Sequence, residues 1–181
     1  MTGLSSNLLA FHLKTLEAAG LVQRHRSEGD ARRRYVRLRH EILPALTLVG
    51  ERRRARNIVF VCTQNSARSQ FAEAVWQQAG GCEALSAGTS PAERVHPLAI
   101  DAARAFGVDL SGRHPKGFDT VPPQVDVVVS VCDRALESGL PPSELSLHWS
   151  VPDPVDGGLA AFSSAFTDIA ARLDRLRSRI R

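Results

Sequence analysis

The chain has 181 residues, 43% of them hydrophobic, and this content supports a folded core and argues against a disordered protein. The net charge of +4 divides unevenly, because residues 1–56 carry +7 and residues 57–181 carry −3. No stretch approaches the roughly 18 apolar residues of a membrane span, so no membrane partner is expected. Three cysteines without a short paired spacing argue against a disulfide scaffold or a metal site, and favour reduced, redox-active thiols in the cytoplasm.

The basic N-terminal part predicts a helix followed by a hairpin. Ser5 caps a helical run that ends at Gly20. Residues 21–26 and 33–39 then predict two strands, and basic residues alternate along the second strand. The charge of this part indicates contact with nucleic acid.

This helix and hairpin resemble the second half of an ArsR-type winged-helix repressor, namely its recognition helix and wing. The resemblance implies a partial winged helix over residues 1–43 and a linker over 44–56, in which the arginines are solvated. A helix-turn-helix needs a first helix that this sequence does not provide before residue 4. We therefore expect at most weak, salt-sensitive DNA binding through the N-terminal segment.

The next predicted elements are a strand, a short loop and a helix. Residues 58–61 are apolar and predict a buried strand, and residues 71–79 predict an amphipathic helix that ends at Gly80. Between them, Cys62 and Arg68 bracket five small or polar residues. Backbone N–H groups of such a loop and the N-terminus of the following helix bind anions, so the sequence predicts a phosphate-binding loop (P-loop).

The residues of this loop predict nucleophilic attack by sulfur on a phosphate-like centre. Cys62 is the candidate nucleophile, because a cysteine at an anion-binding loop loses its proton easily. Arg68 supplies a planar fork for two oxygens of a tetrahedral oxyanion. Ser69 is placed to bond the sulfur, and Asn65 suits a left-handed backbone. The alternative is that Cys62 is an ordinary buried thiol. The expected substrate-binding residues are Thr63, Gln64, Asn65, Ser66, Ala67, Arg68 and Ser69.

The remaining elements alternate between strands and helices, which predicts an α/β fold with a parallel four-stranded sheet flanked by helices. The further strands are predicted at 83–88, at 125–131 and around His148, and a helix is predicted from Pro97 to Phe106. A last helix carries an apolar stripe at three-four spacing that is expected to pack on the sheet: Leu159, Phe162, Phe166, Ile169, Leu173, Leu176 and Ile180.

Residues 57–181 resemble the low-molecular-weight protein tyrosine phosphatase superfamily and, within it, the arsenate reductases. The resemblance implies that Cys62 forms a covalent arseno-cysteine and that Asp153, in an Asp-Pro pair, is the general acid. A turn-forming role for Asp153 stays open, and so does a proton-donor role for Asp156. The resemblance also implies that Cys132 is a second thiol, which attacks the arseno-cysteine, expels arsenite and leaves a disulfide.

The resemblance implies no bound cofactor, but an external thiol reductant. Reductases coupled to thioredoxin carry a third cysteine shortly after the second, whereas residues 135–142 contain none. Cys82 begins the second strand of the sheet and is expected to lie at its other end, as a structural residue. The reductant is therefore either thioredoxin acting on the Cys62–Cys132 disulfide, or mycothiol or glutathione with a glutaredoxin-like partner.

Three functions follow from these features, and arsenate reduction in arsenic resistance is the first. Gln70 stands where the tyrosine phosphatases usually have proline, and no aromatic residue directly follows Asp153-Pro154 to flank a phenol ring. The substrate is therefore expected to be arsenate, with phosphate or sulfate as mimics. The alternatives are a phosphatase acting on phosphoesters and an arsenic-responsive DNA-binding transcriptional regulator.

Overall fold

The chain divides into two units, residues 1–50 and 51–181, in the computed structural model, which describes residues 5–39 and 53–180. Across these described ranges no helix is both long enough and apolar enough to cross a membrane. The predicted linker lies outside the described residues from 44 to 52, as do residues 40–43 of the predicted winged helix.

The described part of the first unit, residues 5–39, contains one helix and one hairpin. Helix α1 (Ser6–Ala18) begins where the Ser5 hydroxyl accepts the Leu8 N–H, and strands β1 (Val22–Arg26) and β2 (Arg34–Leu38) pair antiparallel. The order and bounds of these elements match the sequence prediction. No residue of α1 is buried by the described part of the chain. The resemblance to a winged helix stays a prediction.

The second unit is built on a parallel sheet, whose strands run in the order β4-β3-β5-β6. Every residue of β5 is buried, as are Ile58 to Cys62 of β3, which is why these strands are almost continuously apolar. The predicted four-stranded parallel sheet is confirmed. Its strands are β3 (Asn57–Cys62), β4 (Glu83–Gly88), β5 (Val125–Ser130) and β6 (Ser143–His148).

Four helices accompany the sheet: α2 (Arg68–Ala79), α3 (Pro97–Ala105), α4 (Asp133–Ser138) and α5 (Gly158–Arg177). Helix α5 packs against α2 and α3, and the Phe71 and Phe166 rings meet edge to face at 5.2 Å. The predicted apolar stripe is wrong at Leu159, and the burial predicted for Ile180 is found outside the helix. Leu159 is 49% exposed because the helix begins at an exposed loop, and Ile180 is buried but lies beyond the end of the helix.

The described arginines of the predicted linker contact the second unit. Arg53 N–H donates to the Arg179 carbonyl (2.8 Å), and its guanidinium pairs with Glu144 (3.2 Å). Arg56 pairs with Asp126 through both its guanidinium (2.8 Å) and its backbone N–H (2.6 Å). The side chains of Arg53 and Arg56 are 48% and 71% exposed to solvent, and carboxylates near the start of β5 and β6 are their partners.

Candidate active site

The loop between β3 and α2 surrounds the sulfur of Cys62 with hydrogen-bond donors. The Asn65 N–H donates to Cys62 Sγ at 3.2 Å, and the Ser69 hydroxyl lies 2.9 Å from the same sulfur. Cys62 is the last residue of β3, and Arg68 begins α2. Hydrogen bonds of this kind stabilise the negative charge of a thiolate. The geometry therefore matches the contact predicted between Ser69 and the sulfur.

Asn65 holds the loop in its conformation. Its φ of 49° makes it the one described residue other than glycine with a positive φ, as its residue type predicted. The buried amide is fully used: Nδ2 donates to Ser69 Oγ and Ser86 Oγ (both 2.8 Å), and Oδ1 accepts from Gln70 Nε2 (2.9 Å) and Lys116 N (2.7 Å). These bonds fix a left-handed turn that glycine would leave flexible.

A buried ion cluster lies behind Asn65. Ser86 Oγ, which accepts from Asn65, donates to Glu73 Oε2 at 2.6 Å. The Glu73 side chain is 4% exposed and pairs with Lys116 Nζ (2.9 Å) and Arg113 (3.1 Å). Burial of a carboxylate is compensated here by two cations and a hydroxyl. The cluster was missed at the sequence level, since no local spacing connects these residues.

Gly88 allows the loop to pass close to β4. It pairs with Cys62 in the parallel register, and a Cβ at this position would lie 2.7 Å from the Thr63 carbonyl oxygen and 3.0 Å from Asn65 N. Both atoms belong to the backbone of the loop, so neither moves without distorting it.

We expect Gly88→Ala to shift the loop, to lower the free energy of unfolding by about 1–3 kcal/mol and to weaken phosphate binding. Urea unfolding and competitive inhibition by phosphate measure the two effects. Gly112→Ala is the matched control, because nothing lies within 4 Å of a Cβ there. Equal stability of the Gly88→Ala protein and the native protein would contradict this account of the loop.

Arg68 is buried and oriented by two partners from the segment after β6. Nη1 donates to the Val151 carbonyl at 2.9 Å, and Nη2 bonds Asp153 Oδ2 at 2.7 Å. The Arg68 side chain is 7% exposed and that of Asp153 is 40% exposed. An incoming oxyanion therefore meets a guanidinium that already holds a carboxylate, and it has to share or replace that partner.

A cavity of about 260 Å³ opens above the sulfur. The predicted site residues that line it are Cys62, Thr63, Gln64, Ser66, Ala67, Arg68 and Asp153. Asn65 and Ser69 are fully buried and support the loop from behind. Asp156 also lines the cavity, as do His96, Arg134, Val155 and Phe162, which the sequence analysis did not assign to the site.

Among these additional residues, His96 connects the loop to helix α3. Its ring atom Nδ1 accepts the backbone N–H of Leu98 at 3.2 Å, and its ring stacks on that of Phe162 with the ring centres 4.6 Å apart. The backbone N–H of His96 donates to the Ser66 carbonyl at 2.8 Å. The histidine thus caps α3 and joins it to the loop. The His-Pro pair that opens α3 was the available sequence signal, because a residue before a helix-opening proline is an N-cap candidate.

Cys132 lies beside the loop on the neighbouring strand. The Val131 N–H donates to the Val61 carbonyl (2.7 Å), so Cys132, which follows the end of β5, lies near Cys62, the last residue of β3. Cys132 Sγ lies 3.4 Å from Thr63 Oγ1 and accepts the Ala135 N–H at 3.4 Å as the N-cap of α4.

The environment of Cys132 favours its neutral form. Burial raises the pKa of the Cys132 thiol, and the charge of Cys62 raises it further, whereas Arg68 and the Thr63 hydroxyl lower it.

Cys82 lies at the opposite end of the sheet from Cys62, as predicted. It directly precedes β4, and the first residue of β4 pairs with the first residue of β3. Its pKa is also raised, chiefly by burial.

A strand, an anion-binding loop carrying cysteine and arginine, and a helix define a phosphatase-like site. The family model of the low molecular weight phosphotyrosine protein phosphatases matches residues 57–181, and the chain belongs to this family. The chain is similar to arsenate reductases: arsenate reductase 2 of Staphylococcus epidermidis is 32% identical over 128 residues, which are 68% of this chain and 98% of that protein.

Two further comparisons also show similarity to arsenate reductases. The glutaredoxin arsenate reductase of Synechocystis sp. is 30% identical over 131 residues, covering 69% of this chain and 98% of that protein. The solved structure of an arsenate reductase in the phosphate binding state has a TM-score of 0.62 and 31% identity, and the match covers 70% of this chain and 99% of that one.

Proposed function

We propose that the protein is an enzyme that reduces arsenate to arsenite, in arsenic detoxification, through a covalent adduct on Cys62. The observation that carries the proposal is the placement of two thiols, Cys62 and Cys132, at the carboxyl ends of neighbouring strands, with Cys62 lining the cavity and Cys132 in contact with the Thr63 hydroxyl. A phosphatase needs the first thiol only, whereas reduction of arsenic needs two electrons and therefore a second thiol. The relatives named arsenate reductases support the same substrate.

In the first half-reaction the Cys62 thiolate attacks arsenic. A sulfur–arsenic bond forms, one arsenic–oxygen bond breaks, and the departing oxygen leaves as water after it takes a proton from Asp153. Arg68 holds two oxygens of the arsenate in this proposal, and the backbone N–H groups of the loop bind the others. The residues proposed to bind the oxyanion are Thr63, Gln64, Asn65, Ser66, Ala67, Arg68 and Ser69.

In the second half-reaction the Cys132 thiolate attacks Cys62 Sγ. A disulfide forms, the sulfur–arsenic bond breaks, and its electron pair leaves with arsenic, which becomes As(III) and is protonated to arsenous acid. The two thiols are thereby oxidised and arsenic is reduced. Phosphate esters enter only the first half-reaction, because phosphorus(V) transfers without reduction, so we expect weak phosphatase activity as well.

An external thiol has to return the disulfide to two thiols. The Synechocystis relative is named for glutaredoxin, which supports mycothiol or glutathione with a glutaredoxin-like protein as one reductant. Thioredoxin acting directly on the Cys62–Cys132 disulfide is the other. We place this chemistry in the cytoplasm, where thiols are kept reduced.

Replacement of Asp153 by asparagine should lower the rate of the first half-reaction by about 10²- to 10⁴-fold, because the departing oxygen loses its proton donor. The first release of para-nitrophenol from para-nitrophenyl phosphate, before water hydrolyses the phospho-cysteine, measures this step. Asp156→Asn is the matched control, since Asp156 lines the same cavity, whereas Asp153 is the carboxylate that bonds Arg68. A larger loss in the Asp156 variant than in the Asp153 variant would assign the proton to Asp156.

The direct test of the function is an incubation of the protein with arsenate and dithiothreitol, followed by an assay for arsenite. We expect catalytic release of arsenite. Absence of arsenite in a preparation that still hydrolyses para-nitrophenyl phosphate would overturn the proposal in favour of a phosphatase. Loss of both activities in a folded preparation would instead favour a regulator that only senses oxyanions.

We further propose the domain division given by the sequence, with residues 1–43 as a partial winged helix of ArsR type, 44–56 as a linker and 57–181 as the reductase. DNA binding by the first part is expected to be weak. Arg24 pairs with Glu17, and Arg32 and Arg33 pair with Asp30, so part of the basic charge is already neutralised. A mobility-shift titration at two salt concentrations tests this, with binding that weakens as salt rises as the expected result.

A further inference from the structure

A histidine at the end of β6 bonds both chain segments that flank Cys132. His148 Nδ1 lies 2.7 Å from the Ser130 hydroxyl, and His148 Nε2 lies 3.1 Å from Asp133 Oδ1. Ser130 is two residues before Cys132, and Asp133 is the residue directly after it. We name these two hydrogen bonds the His148 bridge.

The bridge is buried and its hydrogen bonds are mutually consistent. Ser130 is fully buried, Asp133 is 1% exposed and the His148 side chain is 18% exposed. An ionised carboxylate only accepts hydrogen bonds, so Nε2 carries a proton and donates to Asp133. His148 Nδ1 bonds the Ser130 hydroxyl, with the donor set by the tautomer of the imidazole, and the same hydroxyl also donates to the Leu147 carbonyl at 3.4 Å.

This arrangement is not a second nucleophilic site. The order serine, histidine, aspartate resembles a hydrolase triad, but Ser130 is fully buried and no bridge residue lines the cavity among the described residues. A substrate therefore cannot reach the hydroxyl. The bridge connects instead to the second thiol, because Asp133 is the first residue of α4 and Cys132 is its N-cap.

We propose that His148 is a positioning residue for the second half-reaction: it holds the backbone on both sides of Cys132 so that the sulfur can attack Cys62 Sγ. The proposal rests on the proposed role of Cys132 as the second thiol. Without the bridge, β5 still presents Cys132 beside the loop, but α4 is free to rotate about its N-terminus and to carry the sulfur away. The chemistry is unchanged: Cys132 bonds Cys62 Sγ, and the electron pair of the sulfur–arsenic bond leaves with arsenic.

The proposal separates the two half-reactions. Cys62, Arg68 and Asp153 perform the first, whereas the His148 bridge joins Ser130 and Asp133 on either side of Cys132. Loss of the bridge should therefore leave the first half-reaction unchanged and slow the second. Misplacement of a reacting atom by about 1 Å lowers a rate by up to about 10²-fold, which sets the size of the expected effect.

The test is a single-turnover reaction of the reduced protein with arsenate and no external thiol. Arsenite release and the Cys62–Cys132 disulfide, trapped by alkylation and detected by mass spectrometry, report the second half-reaction, and para-nitrophenyl phosphate hydrolysis reports the first. His148→Phe, which keeps a ring but removes both bonds, should slow the second by about 10- to 100-fold and leave the first within about twofold. His12→Phe, at an exposed position of α1, is the histidine control and should change neither.

Two conservative variants distinguish loss of the hydrogen bonds from a general folding defect. His148→Gln retains an N–H donor toward Asp133, and His148→Asn retains a group near Nδ1 toward Ser130. Each should restore part of the second half-reaction. Equal losses in both half-reactions for all three variants would indicate a merely structural role and overturn the inference, as would native rates of disulfide formation in His148→Phe.

The same experiment on Cys132→Ser distinguishes a failure of the proposed role of Cys132 from a failure of the proposed role of His148. If Cys132→Ser releases arsenite as fast as the native protein, the proposed role of Cys132 fails, and the role of His148 fails with it. If Cys132→Ser releases none while His148→Phe forms the disulfide normally, only the inference about His148 is wrong.

Discussion

Replacement of Cys62 by serine should abolish arsenate reduction and phosphate-ester hydrolysis together. A serine hydroxyl at this position has no adjacent general base, and it is a much weaker nucleophile than a cysteine sulfur. We expect each rate to fall on the order of 10⁶-fold, the size of effect known for the loss of a catalytic nucleophile. Arsenite release in the presence of dithiothreitol and hydrolysis of para-nitrophenyl phosphate are the two measurements.

Cys82→Ser is the control for this experiment, because Cys82 lies at the opposite end of the sheet. It should retain both activities. Serine at position 62 preserves the size of the side chain and its contact with Ser69, so the variant should still bind phosphate. Substantial arsenate reduction by Cys62→Ser would show that another residue attacks arsenic, and the proposed mechanism would then be wrong.

Replacement of Cys132 by serine should separate the two activities. The first half-reaction does not use Cys132, so hydrolysis of para-nitrophenyl phosphate should stay near the native rate. The second half-reaction cannot proceed, because a hydroxyl cannot form a disulfide with Cys62. In a single turnover without external thiol, the native protein should release about one arsenite per molecule and the variant none.

The omission of external thiol is essential to this measurement. Dithiothreitol is able to attack the arseno-cysteine itself, and it would hide the loss of the internal thiol. Recovery of arsenite release by the variant when dithiothreitol or glutathione is added would locate the defect in the second half-reaction. A parallel loss of phosphatase activity would instead indicate that serine at position 132 disturbs the loop through its contact with Thr63.

The centre of the sheet and the anion-binding loop were predictable because their signals are local. A run of four apolar residues, Ile58 to Val61, predicts a buried strand, and the spacing from Cys62 to Arg68 predicts the loop that follows it. The structure adds one residue at each end of β3 and begins α2 at Arg68. Asn65 was predictable in the same way, because few residue types adopt its positive φ.

Prediction was weaker where tertiary contacts decide the structure. Strand β6 was expected around His148, but it spans Ser143–His148, and its half-exposed, alternating sequence gives a weak signal at the edge of a sheet. The Glu73 cluster and the His148 bridge combine residues from distant parts of the chain. Each of these residues alone has an ordinary explanation, so neither group could be recognised before the strands were placed side by side.

The electrostatic coupling between the two sulfurs has a consequence for the resting protein. Burial and the negative charge of Cys62 both raise the pKa of Cys132, which favours the protonated form of the second sulfur. Bonding of Cys62 to arsenic consumes that negative charge, while Arg68 continues to lower the pKa of Cys132. A protonated thiol is a poor target for peroxides, so Cys132 resists oxidation until Cys62 has bound arsenic.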